Sequence, residues 1–433
     1  MAVIIPFRGL RYNLDRIGDL NDVVTPPYDV IDPAGQEMFY EKSPYNIIRL
    51  ELGKKYPTDT PENNRYTRAA ETLRAWVEEG ILVNDPKPSL YLYEQEFEAR
   101  GAKKTRSGFI AGVQAEDYSK GDVLPHEETL PKHKADRLEL MLTTEANFSP
   151  IFGLYADKEH KIEAILEKAK GNRPPDEEAV DSNGVINRLW VISDDEAVQS
   201  IVELMKDKKI FIADGHHRYE TAVNFGKEMA ARGKEGFNYL MVALVNLYNE
   251  GLVVFPTHRL VNNIADLDVG RLLAGLQENF HVEETKDVAL PPFITELERR
   301  GAVNPSFGLY TQEGKFYWLT LKDISIVDRL DLPGHSAAWK QLDVSILHTL
   351  ILEGLLGIGS KQRADESNLK YVREDDAAKA FVDSGEYQLA FFMNSTKVEE
   401  VTAIATGGEK MPQKSTFFYP KVITGMVMNN YKK

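Results

Sequence analysis

The chain has 433 residues, 42% of them hydrophobic, and its length suits about two or three domains with real cores. The formal net charge of -15 argues against a nucleic-acid partner, and the lack of cysteine excludes disulfides, thiolate nucleophiles, zinc-thiolate sites and iron-sulfur ligation. No apolar run approaches the roughly 18 residues of a spanning helix and no signal-like segment is seen, so we expect a soluble, cytoplasmic protein without a membrane partner.

The hydrophobic pattern predicts a mixture of helices and strands, with strand and helix alternating in the middle of the chain as in an α/β core. Residues 100–101 are expected to form the turn of a strand pair, and Gly80 to end a capped helix. The predicted strands are 89–97, 106–116, 148–155, 189–192, 210–213, 316–326 and 387–393. The predicted helices are 66–79, 132–142, 162–170, 196–206, 271–279, 343–355 and 398–406. We divide the chain into segments 1–120, 121–258 and 259–433.

The most informative segment is 209–223, where a buried strand is followed by a polar turn and a helix. Gly215 allows a tight turn, and residues 219–226 predict the first helical turns. Free N–H groups at a helix N-terminus attract phosphate, and His216, His217 and Arg218 add groups that bond the same oxygens. Adjacent histidines often only cap a surface turn, but four polar groups in order after a buried strand favour an anion site.

Two further segments carry polar groups on predicted loops. Glu127 lies in residues 124–129, before a helix, where a carboxylate can project into a cleft, although paired glutamates are usually solvated charges. Lys414, Ser415 and Thr416 lie in the loop 411–420, where a lysine followed by two hydroxyls suits phosphate or carboxylate, although many such triplets are only turns.

Together and in this order, the three segments resemble those of one superfamily. Residues 214–218, Asp-Gly-His-His-Arg, are similar to the phosphate-binding motif of the ParB and sulfiredoxin superfamily, and most similar to that of its free-serine kinases. Residues 125–127 resemble the Pro-His-Glu segment of those kinases, and residues 414–416 resemble their Lys-Thr-Thr substrate loop. Through residues 6–10, 26–30, 214–220 and 414–420 the chain also resembles the family catalogued as domain of unknown function 1015.

This resemblance implies an α/β (α+β) fold with a ParB/sulfiredoxin-like nucleotide-binding core and additional N-terminal and C-terminal α/β portions. It implies a kinase that phosphorylates free L-serine from ATP or ADP with Mg²⁺. Glu127 would be the general base, and Asp214 would position Mg²⁺ or the attacking hydroxyl. The donor phosphates would be held by Gly215, His216, His217 and Arg218, and the substrate carboxylate or a donor phosphate by Lys414, Ser415 and Thr416. Motif order predicts that the C-terminal portion folds back so that Lys414 reaches His216.

The departures from the superfamily narrow the function. Sulfiredoxin has a cysteine where this chain has His216, which excludes sulfinic-acid repair, and the Gly-Glu-Arg-Arg motif of ParB is absent. A nucleotide-binding regulatory module remains the alternative to a kinase, and only the kinase needs Glu127. Of the other candidates, Arg259 is held in reserve, Asp29 is a loop-stabilising or a binding group, and two histidines are expected to be packing residues. These histidines are His335 and His348.

Overall fold

The computed structural model describes residues 2–127, 132–286, 288–330 and 332–432. Within these residues the chain has the predicted mixed α/β character and divides into two compact units. Unit 1 consists of Met1–Pro125, Thr129–Val253 and Pro420–Lys433, and unit 2 of His126–Glu128 and Val254–Tyr419. The division at residues 1–120, 121–258 and 259–433 stays a prediction.

Unit 1 is built on a large mixed sheet covered by helices. Its strands are β1 (Ile4–Ile5), β2 (Leu10–Tyr12), β3 (Leu82–Asn84), β4 (Leu90–Ala99), β5 (Ala102–Gln114), β6 (Val123–Leu124), β7 (Ala146–Asn147), β8 (Ile151–Tyr155), β9 (Glu177–Val180), β10 (Ile186–Ile192), β11 (Ile210–Asp214), β12 (Tyr239–Asn246) and, at the C-terminus, β21 (Asn429–Asn430). Its helices are α1 (Leu14–Ile17), α2 (Pro33–Lys42), α3 (Ile48–Glu51), α4 (Arg65–Glu78), α5 (Lys132–Thr144), α6 (Lys161–Lys170), α7 (Asp195–Met205) and α8 (His216–Ala231).

The main sheet has the strand order β6-β11-β8-β12-β5-β4-β10-β9, and β1 also pairs with β5. Most neighbours are antiparallel, and only β6 with β11 and β8 with β12 are parallel. The alternation of strand and helix in the middle of the chain was predicted correctly, but β8 and β11 pair antiparallel, so the sheet is not of the purely parallel type. The strand that carries the predicted phosphate motif lies next to the edge strand β6.

Local signals explain two of the elements that the sequence predicts best. The hairpin between β4 and β5 turns at Arg100 and Gly101, which both have positive φ, 53° and 72°. This is the backbone that a two-residue turn between twisted strands requires. Helix α4 begins at a capping box of Asn64 and Thr67 and buries Ala69, Leu73 and Trp76 on one face.

The N-terminal segment 6–10 is held in unit 1 by a buried polar network. The N–H of Gly9 donates to the Tyr91 hydroxyl at 2.5 Å, and that hydroxyl donates to Asp85 at 2.8 Å. A Cβ at position 9 would lie 2.3 Å from the same oxygen, so only glycine allows this approach. Arg11 joins Asp85 and the buried Glu177 in ion pairs of 2.7 Å each. The segment therefore has a structural role.

Unit 2 contains a six-stranded antiparallel sheet, with the order β15-β17-β16-β19-β14-β18, and a separate pair β13-β20. Its strands are β13 (Val253–Phe255), β14 (His258–Val261), β15 (Phe280–Glu284), β16 (Ser306–Thr311), β17 (Phe316–Leu321), β18 (Leu369–Val372), β19 (Leu389–Phe392) and β20 (Phe417–Tyr419). The first residue of β13, Val253, is assigned to unit 1. Its helices are α9 (Val269–Asn279), α10 (Leu290–Gly301), α11 (Ser325–Asp328), α12 (Ala337–Lys340), α13 (Asp343–Ile346), α14 (Ser360–Ala364), α15 (Asp375–Asp383) and α16 (Val398–Thr406).

Two predicted elements of unit 2 differ in the structure. The strand predicted at 316–326 ends with β17, because Asp323 accepts the N–H of Ser325 at 2.9 Å and turns the chain into α11. The helix predicted at 343–355 begins as α13 and continues as a π-helix over Leu347–Glu353. A π-helical turn is rare and is found frequently at functional sites.

Candidate functional site

The predicted phosphate motif forms a strand, a left-handed glycine and a helix start in unit 1. Gly215 follows β11 with φ 94°, and a Cβ there would lie 2.7 Å from Cγ2 of Ile151. Both facts require glycine. Helix α8 begins at His216, three residues before the predicted 219, and its hydrogen bonds begin with the Tyr219 N–H donating to the Gly215 carbonyl at 3.0 Å. Of the four residues predicted to bind phosphate, Gly215 therefore caps the helix, and His216, His217 and Arg218 form its first turn.

Asp214, at the end of β11, is held between two cations. Its Oδ1 accepts from Lys421 Nζ at 2.6 Å and its Oδ2 from Arg218 Nη2 at 3.1 Å. Burial raises the pKa of Asp214, but Lys421, Arg218 and His216 lower it more, so the pKa falls from 3.8 to about 2. The carboxylate is ionised at neutral pH, and both oxygens are directed at basic groups.

Arg218 lies in the interior of unit 1 and is 7% exposed. Besides Asp214, it donates through Nη1 to the Pro150 carbonyl at 2.9 Å and to the Ser149 hydroxyl at 3.4 Å. Burial lowers the pKa of Arg218, and the charges of Asp214 and Asp29 outweigh this effect, so the net direction is upward. The guanidinium thus ties the glycine turn to the loop before β8.

Two further cations belong to this region and were missed by sequence reasoning. Lys421 contacts Asp214 directly, and Arg106 on β5 donates to the Pro420 carbonyl at 2.6 Å. Burial lowers the pKa of Arg106 to about 10, an effect that Tyr93 and Asp214 oppose. No local pattern marks either residue, although Lys421 directly follows the loop singled out at 411–420. The group of Asp214, His216, Arg218, Arg106 and Lys421 is called the cation cluster below.

A buried relay connects the cation cluster to the segment 26–30. The Ser149 hydroxyl that faces Arg218 donates to Glu51 at 2.9 Å, and Arg137 donates to the Glu51 carbonyl at 2.8 Å. The Arg137 guanidinium lies 4.1 Å from the ring centroid of Tyr28. Three of these side chains, with Arg218, line a small cavity of about 20 Å³, which is room for roughly one water molecule. Segment 26–30 is therefore part of the surroundings of the phosphate motif.

In unit 2, the structure places the predicted base beside the predicted substrate loop. The Lys414 N–H donates to Glu127 Oε1 at 2.8 Å, and the Met411 N–H donates to the His126 carbonyl at 2.6 Å. Lys414 has φ 59°, a left-handed backbone that directs its N–H toward the carboxylate. Glu127 is therefore fixed in place by the backbone of the loop, while the Lys414 side chain is exposed. Glu128 lies outside the described residues.

The other two residues of the loop are also engaged within unit 2. His126 is fully buried, and its Nε2 lies 2.9 Å from the Thr416 hydroxyl. The Ser415 hydroxyl donates to the Pro412 carbonyl and so closes the loop on itself. We call Glu127 with residues 411–416 the base loop.

Arg259, held in reserve by the sequence analysis, contacts the base loop. Its Nη2 donates to the Lys414 carbonyl at 3.0 Å. His335, in contrast, pairs with Glu409 and stacks on Trp339 at an exposed position. The expectation that Lys414 reaches His216 joins residues of two different units and stays a prediction.

The described residues contain no group of three or more His, Asp or Glu side chains that could hold a metal ion. In the same part of the chain, no helix is long and apolar enough to cross a membrane. The residue predicted from the sequence to position a magnesium ion is Asp214, whose oxygens face Lys421 and Arg218. At this position the described residues therefore provide one carboxylate for a magnesium ion and not a set of several ligands.

A family model described as protein of unknown function DUF1015 matches residues 4–345, which is more than half of the chain. The chain belongs to this family. The match includes segments 6–10, 26–30 and 214–220 and ends before the base loop residues 411–416. No curated protein matches the chain.

The chain is similar to several solved structures at low identity. A free serine kinase in complex with AMP has 14% identity and a TM-score of 0.35, covering 69% of this chain and 84% of that chain. A conserved hypothetical protein from Pyrococcus furiosus has 15% identity and a TM-score of 0.33, covering 69% and 87%. SbnI from Staphylococcus aureus, truncated at its C-terminus, has 10% identity and a TM-score of 0.35, covering 74% and 87%.

Proposed function

We propose that this protein is a phosphotransferase that moves a phosphoryl group from ATP or ADP to the hydroxyl of free L-serine, giving O-phospho-L-serine. The observation that carries the proposal is the 2.8 Å hydrogen bond between the Lys414 N–H and Glu127. It joins two segments, 287 residues apart, to which the resemblance to free-serine kinases assigns the roles of base and substrate loop. The proposal includes the assignment of β11, Gly215 and α8 to a ParB/sulfiredoxin-like core.

On the acceptor side, Glu127 is the general base. The serine hydroxyl oxygen attacks the terminal phosphorus of the donor, its proton passes to the Glu127 carboxylate, and the bond from phosphorus to the bridging oxygen breaks. The products are phosphoserine and ADP, or AMP when ADP is the donor. A base must lie within hydrogen-bond reach of the hydroxyl, and the backbone bond from Lys414 fixes Glu127 for that task. Lys414, Ser415 and Thr416 form the loop around it.

On the donor side, the cation cluster binds the phosphates. Its only carboxylate, Asp214, faces Lys421, Arg218, Arg106 and His216, so the local charge is positive in a protein of net charge -15. The N-cap Gly215 and the first-turn residues His216 and His217 add backbone groups at the positive end of the α8 helix dipole. Arg218 contributes charge and holds Asp214 in place. Phosphoryl transfer needs mainly such positioning and charge neutralisation.

Asp214 would orient a magnesium ion that accompanies the nucleotide, and it would do so in exchange for its contacts with Lys421 and Arg218. The ion would neutralise charge on the donor phosphates. Asp214 itself keeps Lys421 and Arg218 together at the end of β11.

The test is incubation of purified protein with Mg-ATP or Mg-ADP and a panel of hydroxy amino acids, followed by ³¹P NMR and mass spectrometry. Phosphoserine is the expected product. Tight nucleotide binding without phosphorylation of any acceptor would overturn the kinase and favour the regulatory module.

The Glu127→Gln variant distinguishes the role of Glu127 as a base from its structural contact with the loop. The amide oxygen still accepts the Lys414 N–H, so folding and nucleotide affinity should be retained while turnover falls about 100- to 10,000-fold. Glu386→Gln is the matched control, because that side chain is exposed in the same unit, and it should leave the rate unchanged. Near-normal phosphoserine production by Glu127→Gln would remove Glu127 from the role of base.

A further inference from the structure

Arg259 is a buried cation that forms no ion pair with a carboxylate among the described residues. It is 1% exposed, and among the described residues no carboxylate lies within ion-pair distance of it. Its Nη1 donates to the Thr257 carbonyl, its Nη2 donates to the Lys414 carbonyl at 3.0 Å, and its Nε has no hydrogen-bond partner in the described part of the chain. Burial lowers the pKa of Arg259 to about 10.

Burial of a charge in this way lowers the stability of the ligand-free protein. Removing a charge from water costs several kcal/mol unless an opposite charge and hydrogen bonds compensate. Carbonyl oxygens satisfy two nitrogens of Arg259 but supply no net charge. The Tyr371 ring, 5.4 Å from the guanidinium, adds only a weak attraction. An anionic ligand would supply what is missing.

A second buried polar group without a hydrogen-bond partner is influenced by the charge of Arg259. His348, 6% exposed on the π-helix Leu347–Glu353, has no hydrogen-bond partner for Nε2 among the described residues. Burial, followed by the charges of Arg259 and Arg363, holds the pKa of His348 well below 6.5, so the imidazole is neutral at pH 7. A neutral imidazole offers one N–H donor without a second buried charge. From the sequence alone, His348 is predicted to be a packing residue.

We propose that Arg259 and His348 bind the carboxylate of the acceptor amino acid. This inference rests on the proposed kinase function, because it identifies the subsite for the substrate carboxylate. Arg259 contacts the carbonyl of Lys414, and Glu127 contacts the N–H of the same residue. Three bonds of about 1.2 to 1.5 Å separate these two backbone atoms, so Nη2 of Arg259 and Oε1 of Glu127 lie at most about 10 Å apart. One small hydroxy acid, hydrogen-bonded at both ends, spans that distance.

The charges favour a carboxylate over a phosphate at this position. Arg259 carries one positive charge and His348 none, whereas the negative charge of Glu127 acts on Arg259. Because the charge of Glu127 already acts on Arg259, a singly charged carboxylate adds one negative charge to this pair, whereas a doubly charged phosphate would add two. The subsite thus explains selection of a free amino acid rather than a serine within a peptide.

The inference is tested by the ratio of kcat/KM for L-serine to that for L-serine amide, which lacks the carboxylate charge. A charge-assisted hydrogen bond corresponds to about a 10- to 150-fold preference for L-serine in the wild type. In Arg259→Gln and in His348→Phe the ratio should fall toward one, and Arg329→Gln, an exposed arginine of unit 2, should keep it. A general loss of folding lowers both rates but does not change the ratio.

Calorimetric binding of L-serine and its amide, without nucleotide, makes the two proposals separable. A wild type that binds L-serine better than the amide but forms no phosphoserine would refute the kinase and keep the carboxylate subsite. A wild type that phosphorylates both compounds equally well, or an Arg259→Gln protein with an unchanged ratio, would refute the subsite and leave the kinase intact.

Discussion

Lys421 should stabilise unit 1 through its ion pair with Asp214, in which Nζ lies 2.6 Å from Oδ1. The cation cluster lowers the pKa of Asp214 from 3.8 to about 2. Since one pKa unit corresponds to about 1.36 kcal/mol, ionised Asp214 contributes about 2 kcal/mol to the free energy of unfolding. Lys421 makes the largest favourable contribution, followed by Arg218. We therefore expect a coupling free energy of about 1 to 2 kcal/mol between Lys421 and Asp214.

The assay is a double-mutant cycle of Lys421→Met, Asp214→Asn and both changes together. Because the protein has two units, global unfolding need not be two-state, so local opening is measured by hydrogen exchange of the amides of β11 and α8. Lys227→Met is the matched control, since that lysine lies on α8 and is 65% exposed. It should change the opening free energy by less than about 0.5 kcal/mol.

The pH dependence gives a second check. Because the folded pKa of Asp214 is lowered, its contribution is present above about pH 3.8 and is lost as the pH falls toward about 2. The coupling should therefore be the same at pH 7 and at pH 5. A coupling below about 0.5 kcal/mol, or one that disappears between pH 7 and pH 5, would show that Lys421 does not stabilise the ionised Asp214.

Two further predictions concern backbone strain and a buried carboxyl. Gly215→Ala should lower nucleotide affinity and stability by more than Gly121→Ala does. Both glycines have positive φ, but of the two only position 215 would bring a Cβ against another side chain. Urea titration measures the effect on stability, and a nucleotide-binding assay measures the effect on affinity. Asp343 has its pKa raised from 3.8 to about 7 by burial and by Glu400, so ionisation destabilises the fold, and stability is lost as the pH rises from about 3.8 to about 7. Asp343→Asn should unfold at higher urea concentration than wild type at pH 8 but not at pH 4, and equal shifts at both values would refute this.

The elements predicted best are those fixed by neighbours in sequence. The hairpin turn at residues 100–101 and the capped helix α4 each depend on fewer than about 15 consecutive residues, so periodicity and turn chemistry were sufficient. The pairing of β11 with β8 was not predictable in this way, because β8 ends 55 residues before β11 begins and either direction of pairing satisfies the apolar pattern. The π-helix over Leu347–Glu353 has the same apolar periodicity as an ordinary helix over a short stretch, so only the backbone shows it.

The same distinction applies to the candidate site. The motif at 214–218 is local and was found, whereas Lys421 is 207 residues from its partner and Arg259 is 155 residues from the loop that it contacts. Each is one of 52 lysines and arginines, with nothing in its own neighbourhood to distinguish it. What distinguishes them is their environment in the fold, which a single sequence does not carry.

Burial of charge then gives a physical reason to connect such residues with function. An acidic chain with 67 carboxylate side chains has ample means of pairing its cations, yet Arg259 is buried without a carboxylate at ion-pair distance in the described residues. Since burial of a charge without an opposite charge costs several kcal/mol, stability alone does not favour an arginine at this position. A site that must receive an anion does give a reason, because the missing charge then arrives with the ligand.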